Sequence, residues 1–138
     1  MMELVDTSVW ARKRQAGIRP WFDAAVVDGD IAMCDVVALE LLHSTSTADL
    51  YRAVEDNLAA LPQLSMGTDT FERARTIYRR LAERGDAMHR SVKHADMLIA
   101  ACADLHGITL VHYDRDYDAI ALVTGQSMRW VAPRGTIP

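Results

Sequence analysis

Asp6, Glu40, Asp96, Asp114 and Asp116 stand where an acidic side chain is either costly or useful. Asp6 ends the short apolar run Leu4-Val5, and Asp114 and Asp116 follow Ile108-Thr109-Leu110-Val111-His112, the clearest strand pattern in the chain. Asp96 opens a segment, Ala95 to Leu105, that is apolar nearly all round until Asp104. Glu40 lies between Leu39 and Leu41-Leu42, so its charge is expected in apolar surroundings, a costly placement without a partner. Two carboxylates ~4 Å apart repel by roughly 1 kcal/mol in water and about 4 kcal/mol at an effective dielectric of ~20. Several in one cleft therefore need raised pKa values or a bound cation. No Lys or His recurs where it would neutralise all of them. An all-oxygen set of ligands favours Mg²⁺ or Mn²⁺ over zinc. Such an ion can activate water and stabilise charge on a phosphodiester.

Each acid also has a plainer reading. Asp6, or Asp114 with Asp116, would suit a turn after a strand. Asp96 would be a favourable charge at a helix N-terminus. Asp35, Asp69 and Asp104 are assigned to such structural roles alone. Glu40 is the hardest to explain away, and the set gains meaning only if its members converge in space.

Convergence requires elements that bring distant segments together. Leu4-Val5 reads as a brief buried strand, with Thr7 or Ser8 capping a helix through Val9, Trp10 and Arg12. Pro20 suits the first turn of a second helix with Trp21, Phe22, Ala25 and Val26 on its apolar side, broken at Gly29-Asp30. Ile31-Ala32-Met33 is a second strand, after which Asp35 is expected to cap the helix carrying Glu40. A further helix runs from about Thr47, with Leu50, Val54, Leu58 and Leu61 at helical spacing and Pro62 at its end. Asp69 and Glu72 have the spacing of a capping box, and the helix they open would turn Phe71, Ala74, Tyr78 and Leu81 inward before Gly85. The apolar Ala95–Leu105 segment is a helix buried against a sheet, closed by Gly107. A short helix over 117–123 and a strand over 127–131 complete the series. Strands alternating with helices predict an α/β domain with a mainly parallel sheet, and in such sheets ligands gather beyond the carboxyl ends of the strands.

The 138 residues suffice for one domain with its own core, and no repeat, linker or low-complexity tract divides them. The first residues lack the basic and apolar regions of an export signal, and the longest apolar run, Met97 to Ala103, is too short to span a bilayer. Cys34 and Cys102 lack metal-ligand spacing and read as buried reduced thiols of a cytoplasmic protein. The net charge of −4 is unusual for a protein that binds nucleic acid, but the positive charge is concentrated. It gathers at Arg12, Lys13, Arg14 and Arg19, along Arg73, Arg75, Arg79, Arg80 and Arg84, and at Arg90 and Lys93. Of these, the arginines of the 71–84 helix, with Arg12, Arg14 and Lys93, are candidates for phosphate contacts.

The segments Leu4-Val5-Asp6-Thr7-Ser8-Val9-Trp10, Val37-Ala38-Leu39-Glu40-Leu41-Leu42, Ala95-Asp96-Met97-Leu98-Ile99-Ala100-Ala101 and Tyr113-Asp114-Arg115-Asp116-Tyr117 together resemble the PIN-domain family, in particular the VapC-type toxins of bacterial toxin–antitoxin pairs. The likeness runs from end to end, with the motifs in order. It implies a short central parallel sheet flanked by helices and an RNA endonuclease dependent on Mg²⁺ or Mn²⁺. It further implies Asp6 and Asp96 as principal metal ligands, with Glu40 and Asp114 or Asp116 completing the site, and Ser8 orienting a ligand or water. The partners it implies are an RNA substrate, a second copy of the chain in a homodimer, and a small VapB-type antitoxin that inserts a peptide into the active-site groove. One departure is His112, where many relatives carry a small hydroxyl residue. A histidine on a buried strand is read as a satisfied core residue, not a base.

Two other classes compete. Aspartyl phosphatases and phosphotransferases also place an Asp after the first strand. Their patterns ask for a second acid near Asp6, where Ser8 stands two residues on, or for a Lys after a late strand; neither is present. The other is a binding module that keeps the fold without catalysis.

Overall fold

The computed structural model describes residues 1–138 as a five-stranded, wholly parallel sheet covered by helices on both faces. The elements run β1 (Glu3–Val5), α1 (Thr7–Trp10), α2 (Arg19–Val27), β2 (Ile31–Cys34), α3 (Asp35–His43), α4 (Ala48–Ala59), β3 (Gln63–Leu64), α5 (Thr68–Glu83), a 3₁₀ turn (Met88–Ser91), α6 (His94–Leu105), β4 (Leu110–His112), α7 (Asp116–Thr124) and β5 (Met128–Trp130). The strand order is β3-β2-β1-β4-β5. The chain thus builds outward on one side of β1, then returns through α5 and α6 to build on the other. The reversal falls between β1 and β4, whose register pairs Leu4 with Leu110 and Val5 with Val111. In open parallel sheets a crevice forms outside the strand ends at such a reversal. Here it lies between Asp6 and Asp114.

Alternation along the strands divides the core. Leu4, Ala32 and Leu110 face a larger layer with Val37, Ile77, Leu81, Met97, Ile99 and Tyr117. Val5, Ile31 and Val111 face a smaller one with Val9, Ile18, Phe22 and Ala25. Helix α6 is apolar nearly all round because Met97 and the run from Ile99 to Ala103 are sealed in the larger layer. Cys34 and Cys102 are free and buried, as their apolar settings predict. No helix is long and apolar enough to cross a membrane.

Several local expectations change. Asp6, not Thr7 or Ser8, caps α1, its carboxylate accepting the Ser8 amide, and the helix is only four residues long. Asp35 lies inside the first turn of α3, whose cap position is Cys34 without a side-chain bond. The Asp69–Glu72 capping box does not form: Gly67 holds the cap position and Asp69 accepts from the adjacent Thr70 amide. The buried stripe of α5 is Thr70, Ala74, Ile77 and Leu81: Ala74 and Leu81 lie where expected, but Thr70 and Ile77 replace Phe71 and Tyr78, leaving Phe71 52% exposed and Tyr78 half-buried against the core. Asp104 binds Arg73 across α5 and α6 at 2.7 Å, an interaction not evident in the sequence. Helix α4 starts where expected, with Thr47 accepting the Leu50 amide, but it ends at Ala59, short of Leu61, and Leu50 is 45% exposed.

Ile99 tests the packing directly, since its side chain is fully enclosed and distant in chemistry from the acids. Ile99→Ala should lower unfolding free energy by about 2–5 kcal/mol, read as a fall in the urea midpoint with unchanged slope.

Candidate metal centre

The end of β1 places Asp6 at the floor of the crevice, 3% exposed. Its amide donates to the Val111 carbonyl, which ties the residue to β4. Its two carboxylate oxygens are both engaged: Oδ2 accepts the Ser8 amide at 2.9 Å and Oδ1 accepts the Tyr117 hydroxyl at 2.6 Å. Ser8 is itself fixed, because its Oγ accepts the Tyr113 amide at 2.9 Å. Ser8 thus meets Asp6 through its backbone amide, while its side chain meets Tyr113.

Asp96 projects from the first turn of α6 and is half-buried. Asp114 follows β4 by two residues, and its Oδ1 accepts the amide of Asp116, which begins α7. Carboxylate oxygens of Asp96, Asp114 and Asp116 lie within 4.8 Å of one another. Asp6 adjoins this group through Tyr117, whose hydroxyl is also 3.5 Å from Asp96 Oδ1. Glu40 stands at the edge, and its Oε1 accepts the Thr7 hydroxyl at 2.7 Å. Its apolar setting is weaker than its neighbours suggest, since Leu39 is 64% exposed and points away from the core.

The charges are felt. Burial, then the negative fields of Asp6, Asp114 and Glu40, push the Asp96 carboxyl up to about 7, against only a partial opposing pull from Lys93. None of the five acids forms an ion pair with a Lys or Arg. An uncompensated, all-oxygen cluster with three donors inside the span of one coordination sphere fits a hard divalent cation and fits poorly a soft or redox metal.

His112 is 1% exposed and packs between Tyr117 and Trp130, with burial holding its pKa below the ordinary histidine value. Its Nδ1 accepts the Asp114 amide at 3.2 Å. It is a core residue, as expected, and it also anchors the loop that carries Asp114. Sequence reasoning missed Tyr117 and Thr7 as partners of the acids. Tyr117 sits on the buried side of α7, where an aromatic ring needs no functional explanation.

The sequence profile of the PIN domain matches residues 4–123. The chain belongs to the PIN-domain family. It is 43% identical over 138 residues to Ribonuclease VapC18 of Mycobacterium tuberculosis, covering 99% of this chain and 100% of that protein. It is 34% identical to Ribonuclease VapC51 of the same organism, over 97% of this chain and 96% of that one. Among solved structures, the fold resembles that of DNA-bound VapBC from Salmonella typhimurium, with a TM-score of 0.72 at 19% identity, covering 96% of this chain and all of that one. VapBC-5 from Mycobacterium tuberculosis aligns with a TM-score of 0.60 at 24% identity, over 94% of this chain and 96% of that one.

A raised carboxyl pKa links protonation to stability. Asp96 in the folded protein holds its proton to about 7, whereas a free Asp releases it near 3.8. Its contribution to stability is therefore full below the free value and is lost as pH rises through the folded one. In chelator, Asp96→Asn should gain thermal stability relative to the wild type as pH is raised from about 4 to 8. A difference that stays constant with pH would show that Asp96 titrates normally.

Proposed function

We propose that this PIN-domain protein is an endoribonuclease of the VapC type, the toxin of a toxin–antitoxin pair, and that it cuts RNA with the help of Mg²⁺ or Mn²⁺. The observation that carries the reading is the convergence of Asp6, Glu40, Asp96, Asp114 and Asp116 on one crevice without a paired cation. The full-length likeness to ribonucleases supports it.

In this reading Asp96, Asp114, Asp116 and Asp6 hold the ion, with Glu40 completing the acidic rim. A bound divalent ion supplies a more acidic water and neutralises charge that develops on the phosphodiester. The chain's own residues do the rest. Ser8 and Tyr117 keep Asp6 oriented, and His112 holds the Asp114 loop. Burial and acidic neighbours hold the Asp96 carboxyl up at about 7, and a cation held there would offset them and favour its carboxylate form. An aspartyl-phosphate mechanism fits poorly, because Asp6 is nearly enclosed and both its oxygens are already bonded.

Phosphate contacts fall to a reduced set of basic residues. Arg73 is bound to Asp104. Arg12 lies over the Tyr113 ring and donates to the Ser8 and Pro138 carbonyls. Lys93, exposed and close enough to act on Asp96, is the best placed for the substrate backbone, with Arg14, Arg75, Arg80 and Arg84 also exposed. Beside Glu40, a groove of about 410 Å³, half apolar through Trp10, Leu41, Leu50, Val54 and Leu58 and half polar through residues such as Lys13, offers an antitoxin peptide a path to the acids. A homodimer and cytoplasmic location accompany this reading.

Purified wild-type protein with Mn²⁺ should cut RNA into discrete fragments, and chelation should stop it. Asp96→Asn should reduce the rate by about 10²-fold or more while its circular dichroism spectrum is unchanged. A fully active, well-folded variant would remove Asp96 from the centre.

A further inference from the structure

We propose that Tyr117 is a positioning residue of the metal centre: its hydroxyl, set between Asp6 and Asp96, fixes the orientation of Asp6. This rests on the metal-dependent reading given above.

The side chain is fully buried on the inner face of α7, with its ring against His112 at 4.9 Å. Packing alone would be met by a phenylalanine, and a buried hydroxyl is costly unless it is bonded. Its single proton goes to Asp6 Oδ1 at 2.6 Å, and Asp96 Oδ1 stands 3.5 Å from the same oxygen. The Ser8 amide engages the other Asp6 oxygen. Held at both oxygens, the Asp6 carboxylate cannot rotate, and one lone pair on each oxygen remains for an ion. Asp96 has no comparably short donor, so it can turn toward an ion while Asp6 stays fixed. The same ring links the centre to the Asp114 loop through His112. One side chain thus bears on ligands from three separate segments.

A hydroxyl that only satisfied a buried acid would affect folding and leave metal binding alone. The two roles separate in Tyr117→Phe, which keeps the ring and its packing on His112. Mn²⁺ is titrated calorimetrically into chelator-stripped wild type and variant, and RNA cutting is followed across Mn²⁺ concentrations. The variant should bind Mn²⁺ about tenfold more weakly, the usual size of effect for a partner that orients a metal ligand. At limiting Mn²⁺ its kcat should fall while KM for RNA is unchanged, and excess Mn²⁺ should restore kcat. An unchanged Mn²⁺ affinity overturns the proposal, whatever happens to cutting. If the wild type itself binds no Mn²⁺, the metal reading fails and the proposal falls with it.

Discussion

Mutual repulsion among carboxylates governs this molecule. Like charges brought to one end of a sheet oppose folding, and the cost grows as water is excluded. Part of that cost is met locally. Asp6 receives two hydrogen bonds, Asp114 one from the Asp116 amide, and Glu40 one from Thr7. Asp96 receives only the long Tyr117 contact, and it is the acid whose protonation is most displaced. The remaining repulsion is not offset by any ion pair with a Lys or Arg.

The fold supplies what this strain demands. A central strand with neighbours on both sides fixes Asp6, and the adjoining β4 fixes the turn to Asp114. Helix α6 is sealed into the core along most of its length, so its first turn is a rigid mount for Asp96. Some basic residues serve elsewhere: Arg73 ties α5 to α6, and Arg129 grips Glu3 with two bonds across β5 and β1. Positive charge thus reinforces the frame and leaves the crevice acidic.

Much of this could be read from residue patterns, because the main elements are locally encoded. The apolar run of α6, the strand over Leu110–His112, and Pro20 near the start of α2 are each signalled by neighbours in sequence. The two-residue β3 is not, since so short an edge strand exists only by pairing with Met33 and Cys34. The face of α5 is legible at Ala74 and Leu81 but not at its start, because Phe71 is apolar yet exposed while Thr70 is polar yet buried. Glu40 was placed near the other acids for a partly mistaken reason: Leu39 and Leu41-Leu42 do not enclose it as a core would. Convergence of the acids followed from the strand order, which no single segment encodes. Tyr117 escaped notice because a hydroxyl group within an otherwise apolar stripe has no periodicity of its own.

The strand order also has a consequence for timing. The acids lie on segments as far apart as residues 6 and 116, and the first and fourth strands must lie side by side before Asp6 and Asp114 can meet. Contacts of such long separation in sequence form late and only together. A chain still emerging during synthesis, or one cut short before α7, has no complete centre. The acidic cluster is assembled only once these distant segments have come together.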